Sequence, residues 1–108
     1  MLVFRLTPYL RGMRDMGFDE VGMAEIEAEI AANPTHPVIR GLKGVRKARV
    51  SRPGMGKRGG GRVIYYAILG MNRFYMMAAY PKSDRDDLSN EQRRRILTAL
   101  QSIKKVGE

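Results

Sequence analysis

Two runs of seven consecutive apolar residues, Val63–Leu69 and Phe74–Tyr80, stand close together in the chain with Gly70-Met71-Asn72 between them. They are far too short to cross a bilayer, which takes ~20 apolar residues. Their aromatic and β-branched content and the short glycine–asparagine connection predict a hairpin of two strands, Arg62–Leu69 and Arg73–Tyr80. A third strand is expected just upstream, at Val45–Arg52, where the sequence alternates. Ala48 and Val50 point one way, and Lys47, Arg49 and Ser51 point the other. Pro81 closes the last strand. Leu2 to Leu6 is short, apolar and β-prone and reads as an opening strand.

Helices fill the remaining segments. Thr7 ahead of Pro8 predicts an N-cap and a first helix to about Met16, ended by Gly17. A second helix is expected from Phe18 or Asp19 to about Ala32, stopped by Asn33-Pro34. Val21, Met23, Ile26 and Ile30 form its apolar stripe, and Glu20, Glu25, Glu27 and Glu29 its wet face. Ser89 with Gln92 three residues on spells a capping box. It opens a last helix to about Lys105 with Ile96, Leu100 and Ile103 on one face. The expected fold class is α+β, one domain over residues 1–108, in the order β-α-α-β-β-β-α. The sheet is four-stranded and antiparallel-rich. The helices pack on one face of it, leaving the face of Lys47 and Arg49 open.

Charge is distributed unevenly along this chain. Residues 30–83 contain 11 Lys and Arg and no Asp or Glu, whereas residues 1–29 contain 3 basic and 6 acidic groups. A cationic block of this length points to a polyanionic partner, nucleic acid above all. With no Cys and one His, cysteine nucleophiles, Cys-based zinc sites, disulfides and Fe–S clusters are excluded. No cofactor or metal is expected, nor a membrane segment. No secretory leader is visible, so a cytoplasmic location is expected.

The glycine-rich stretch Pro53–Gly61 contains five glycines around Lys57 and Arg58. Gly54 to Gly59 matches G-x-G-x-x-G, but a strand rather than a helix follows and no acidic residue appears before Asp84, so the dinucleotide reading fails. What remains is a loop whose backbone can approach a phosphate closely while Lys57 and Arg58 add charge. Asp84, Asp86 and Asp87 precede the last helix and are read as complements to its dipole rather than as metal ligands. His36 sits in a loop between Thr35 and Pro37 and is assigned no role. Tyr80, at a strand end beside Lys82, is a candidate for stacking on a base.

The string from Val45 to Tyr66 (VRKARVSRPGMGKRGGGRVIYY), followed by Ala79 to Ser89 (AYPKSDRDDLS), resembles the RelE/HigB toxins of bacterial type II toxin–antitoxin systems, their HigB branch in particular. The resemblance implies a RelE-like fold and ribosome-dependent cleavage of mRNA in the ribosomal A site. It also implies a cognate antitoxin, DNA-binding through a helix-turn-helix, that masks the toxin. The implied chemistry is metal-independent attack of a ribose 2′-hydroxyl on its neighbouring phosphate. By motif position, Lys47 and Arg49 match paired basic residues on the second strand. Arg62 matches the arginine that contacts the scissile phosphate, and Lys82 lies at or beside a basic position past the last strand. These four are the expected catalytic residues, and Arg46, Arg52, Lys57, Arg58, Arg73 and Tyr80 complete the RNA-binding set. Arginine cannot give up its proton, so proton transfer would fall to Lys47 or Lys82, with Arg62 stabilising the phosphate. Some relatives carry a base-stacking tyrosine where Leu88-Ser89 stands here, so that role is open. A ParE-like toxin acting on a protein such as DNA gyrase, or a non-catalytic RNA-binding module, are the competing readings.

Overall fold

The computed structural model describes residues 1–55, 59–84 and 87–107. Seven elements follow one another as β1 (Leu2–Arg5), α1 (Thr7–Asp15), α2 (Glu20–Ala32), β2 (Arg46–Val50), β3 (Gly61–Ile68), β4 (Arg73–Pro81) and α3 (Asn90–Gly107). This is the α+β order read from the sequence. The strands form one mixed sheet, β1-β4-β3-β2. β2, β3 and β4 are a meander of antiparallel pairs, and β1 joins its edge parallel to β4. The β3–β4 connection is a short 3₁₀ turn, Leu69–Met71, that ends with Asn72 in the left-handed region at φ 52°.

The sheet is covered on both faces, which corrects the expectation of helices on one face only. Ala48, Val50, Val63, Tyr65, Phe74 and Met76 meet Tyr9 and Met13 of α1 and Met23, Ile26 and Ile30 of α2. On the other face Ile64, Tyr66, Tyr75, Met77 and Tyr80 meet Ile96 and Leu100 of α3, with Leu42 and Val45 of the connection before β2. The cause lies in the unbroken apolar runs. Successive strand residues point to opposite faces, so seven apolar residues in a row leave both faces needing cover.

Helix ends follow local chemistry. The Asp19 side chain accepts from the Gly22 amide at 2.8 Å and caps α2. The box at α3 is reciprocal: the Gln92 amide donates to Ser89 Oγ at 3.1 Å, and the Ser89 amide donates to Gln92 Oε1 at 2.9 Å. At α1 the expected cap is not made. Leu6 holds the N-cap position with no side-chain hydrogen bond, and Thr7 is already helical.

Two positions of α2 depart from the expected pattern. Val21 is exposed, and Glu27, read as wet, is 5% exposed. Glu27 lies four residues after Met23 and three before Ile30, so it shares their inward face. Burial is tolerated because Arg5 of β1 donates to both its carboxylate oxygens at 2.8 Å, and the Tyr9 hydroxyl donates to Oε2 at 2.8 Å. Burial, with this carboxylate alongside, pushes the Tyr9 phenol far above its ordinary range.

α1 packs directly on β4. A Cβ on Gly12 would fall 1.8 Å from the Ala79 carbonyl oxygen, a backbone atom that cannot turn aside. Gly12→Ala is therefore expected to destabilise by about 3 kcal/mol despite its better helix propensity. Urea denaturation of the purified variant checks this, and an unchanged midpoint would refute the close approach.

Candidate active site

Antiparallel register brings the expected residues together. Arg49 of β2 pairs with Arg62 of β3, and Arg62 pairs with Tyr80 of β4. Paired residues share a face, so these three form one row across the sheet, on the α3 side. Lys47 precedes Arg49 by two residues and stands on the same face in the next row, opposite Ile64. Lys82 follows beyond the end of β4, and its amide donates to the Gly60 carbonyl at 3.0 Å. That bond ties the end of β4 to the glycine-rich loop.

Arg62 is the centre of the row and is 1% exposed. Its NH1 donates to the carbonyls of Gly59 at 2.6 Å and Gly61 at 3.1 Å. Gly59 stands at φ +76°, a left-handed backbone that turns its carbonyl toward the guanidinium without a Cβ penalty. A Cβ there would lie 3.9 Å from both Arg49 Cδ and Arg62 NH1, so the end of the loop rests against both arginines. Arg62 thus organises the loop as well as contributing charge. Tyr80 is 6% exposed and packs with Leu88 and Ile96, so its ring is enclosed by protein rather than presented for stacking.

Other expected residues are placed elsewhere. Arg46 belongs to the opposite face, where its NH1 donates to the His36 carbonyl at 2.6 Å. Arg73 opens β4, about 23 Å from Tyr80 at the strand rise of ~3.3 Å per residue. Arg52 lies beside Gly60, with its stem 3.4 Å from where a Gly60 Cβ would be. Lys57 and Arg58 lie outside the described residues.

His36 is more than a surface residue. Its Nδ1 lies 2.7 Å from the Tyr65 hydroxyl, and the two rings meet edge-on at 5.7 Å. Tyr65 belongs to the face covered by α1 and α2, so the chain's one imidazole is on the far side of the sheet from the Arg49–Arg62–Tyr80 row. Burial, helped by the nearby Arg46 charge, lowers its pKa. The unfolded chain, with an ordinary imidazole value of about 6.5, then binds more protons than the folded one. Stability from this residue is full above that value and is lost as the pH falls through it. Melting temperatures from pH 7.5 to 5.5 should decline for wild type and less for His36→Asn. Equal slopes would contradict the half-buried, neutral imidazole.

Asp87, read from the sequence as a complement to the helix dipole, stands beside the cationic cluster. Its Oδ1 lies 3.9 Å from Lys47 Nζ and 3.8 Å from Arg93 NH2. Arg93 in turn donates to the Arg40 carbonyl at 3.1 Å. The signal was present in Asp87-Leu88-Ser89. Leu88 is 8% exposed and anchors the chain, and Ser89 fixes the helix start, so the residue before them has a defined place. Its meeting with Lys47, 40 positions away, required the tertiary fold.

A cationic cluster on one sheet face, around a glycine loop and a strand end, suits the binding of a phosphodiester. Among the described residues no helix is long and apolar enough to cross a membrane. A family model described as the RelE toxin of the RelE/RelB toxin–antitoxin system matches residues 3–107. With its α+β order, mixed four-stranded sheet and a match over nearly its whole length, the chain belongs to the RelE toxin family, the toxin half of a toxin–antitoxin pair with a cognate antitoxin as its partner.

Proposed function

We propose that this toxin, of the HigB branch, is a ribosome-dependent endoribonuclease that cuts mRNA in the ribosomal A site and halts translation in the cytoplasm. The observation that carries the reading is the Arg49–Arg62–Tyr80 row with Lys47 beside it. A toxin that only docked on a protein would have no need to gather these cations around a glycine loop. In this reading the 2′-hydroxyl of one nucleotide attacks its own 3′-phosphate. Arg49 positions the phosphate, and Arg62 stabilises the charge of the phosphorane. Lys47 or Lys82 protonates the departing 5′-oxygen. The antitoxin, a helix-turn-helix protein in this branch, keeps the site from the ribosome.

The test is induction of the toxin without its antitoxin, followed by mapping of mRNA 5′ ends. In-frame cuts spaced by codons, with 5′-hydroxyl ends and loss in Lys47→Ala, are expected. Arrest of DNA replication without such cuts would instead favour a gyrase-directed toxin. RNA binding with a steep salt dependence and no cuts would favour a non-catalytic module.

A further inference from the structure

The proposed reaction needs a group to take the proton from the attacking 2′-hydroxyl, and the cationic row is poor in acceptors. The guanidiniums of Arg49, Arg62 and Arg93 have no acceptor and cannot be deprotonated. The ammoniums of Lys47 and Lys82 have three donors and no acceptor. The Tyr80 ring is enclosed, and His36 is on the other face of the sheet. Asp87 is different. An ionised carboxylate only accepts, and this side chain is 75% exposed, open to a hydroxyl arriving from solvent. Among the described residues it is the carboxylate that forms an ion pair with a member of this cluster.

A carboxylate at a site for polyanionic RNA is a cost unless it contributes something. Two cations face it from different elements, Lys47 of β2 at 3.9 Å and Arg93 of α3 at 3.8 Å. Among the described residues, Lys47, Arg49, Arg62 and Lys82 of the cluster outnumber this carboxylate, which leaves the site attractive to phosphate. Its place is also defined, by the Leu88 anchor behind it and by the Ser89–Gln92 box.

Resting on the endoribonuclease reading, we infer that Asp87 is the general base of this site and Lys47 the general acid. The 2′-oxygen bonds to phosphorus and its proton passes to the Asp87 carboxylate. The bond from phosphorus to the 5′-oxygen breaks, and that oxygen takes a proton from the Lys47 ammonium. The products are a 2′,3′-cyclic phosphate and a 5′-hydroxyl. Asp87 is left holding the proton that Lys47 has lost. With Oδ1 and Nζ 3.9 Å apart, a small side-chain rotation returns it and resets the pair.

The experiment measures single-turnover cleavage of mRNA on programmed ribosomes by wild type, Asp87→Asn, Asp87→Glu and Lys47→Ala. Two substrates are compared, the natural one and one with sulfur in place of the bridging 5′-oxygen at the scissile phosphate. A thiolate leaves without a proton, so it relieves the loss of an acid but not of a base. Asp87→Asn should slow both substrates by about 10²-fold or more, and Asp87→Glu should recover part of that rate. Lys47→Ala should be slow on the oxygen substrate and restored on the sulfur one. Asp87→Asn acting at the wild-type rate, or being restored by sulfur, would overturn the base assignment while cleavage by wild type still stands. Wild type failing to cut, or cutting a substrate with 2′-deoxyribose at the site, would overturn the endoribonuclease reading and the base with it.

Discussion

Arg62→Ala should lower the single-turnover rate of A-site cleavage by about 10²–10³, the cost of losing a preorganised charge at a developing oxyanion. Arg62→Lys should recover little. The guanidinium bonds two carbonyls, of Gly59 and Gly61, from one planar head. Both bonds leave one nitrogen, NH1, whose direction the planar guanidinium fixes, whereas a lysine ammonium is a point charge on a flexible stem that is not held in that direction. The loss should also reach the loop, because the Gly59 carbonyl then faces the sheet with its donor gone. Limited proteolysis in the Pro53–Gly61 stretch should accelerate in both variants. A fully active Arg62→Lys enzyme would show that charge alone suffices and that the loop contacts are incidental.

A large stability effect is expected at the opposite face. Glu27→Ala removes the buried carboxylate that receives Arg5 and Tyr9. Breaking one partner of a buried pair costs 3–5 kcal/mol in comparable cases, mostly because the other charge is left without compensation. Arg5 keeps a contact to the exposed Glu20 at 2.6 Å, so the lower end of that range, about 3 kcal/mol, applies. In a domain of this size that is about 15 °C in Tm. The paired replacement Arg5→Leu/Glu27→Leu should regain most of it, because two apolar side chains fill the space without a buried charge. A Glu27→Ala protein that melts within about 3 °C of wild type would mean that the buried cluster contributes little. Cleavage activity in the cold should survive this substitution, since Glu27 and the Arg49–Arg62–Tyr80 row are on opposite faces of the sheet.

Local rules were enough for the elements and their order. Alternation over Lys47 to Val50, the unbroken runs on β3 and β4, Asn33-Pro34, Gly17 and the Ser89–Gln92 box act through neighbours a few residues away, and each is where it was expected. The positions of Lys47, Arg49 and Arg62 on one face were also legible, because strand periodicity is a local property and the resemblance named the strands. Arg46 shows the same rule working against an expectation: one residue from Lys47, it had to point away.

Which surfaces meet across the molecule was decided only by the tertiary structure. The two-sided cover of the sheet, the parallel seat of β1 beside β4 and the burial of Glu27 depend on contacts between residues far apart in sequence. A glutamate on a helix reads as solvated until an arginine from another element is known to reach it, since the same side chain is costly when buried alone and stable when paired. Asp87 reads as a dipole complement for the same reason. Only the folding of β2 under the start of α3 sets its carboxylate 3.9 Å from Lys47. Composition and periodicity therefore determined a cationic α+β domain, and the resemblance of its motif strings added the toxin family. The pairing of charges over long sequence separations, which separates a solvated surface from a reactive site, belonged to the tertiary structure because Coulomb energy depends on distance in space and not along the chain.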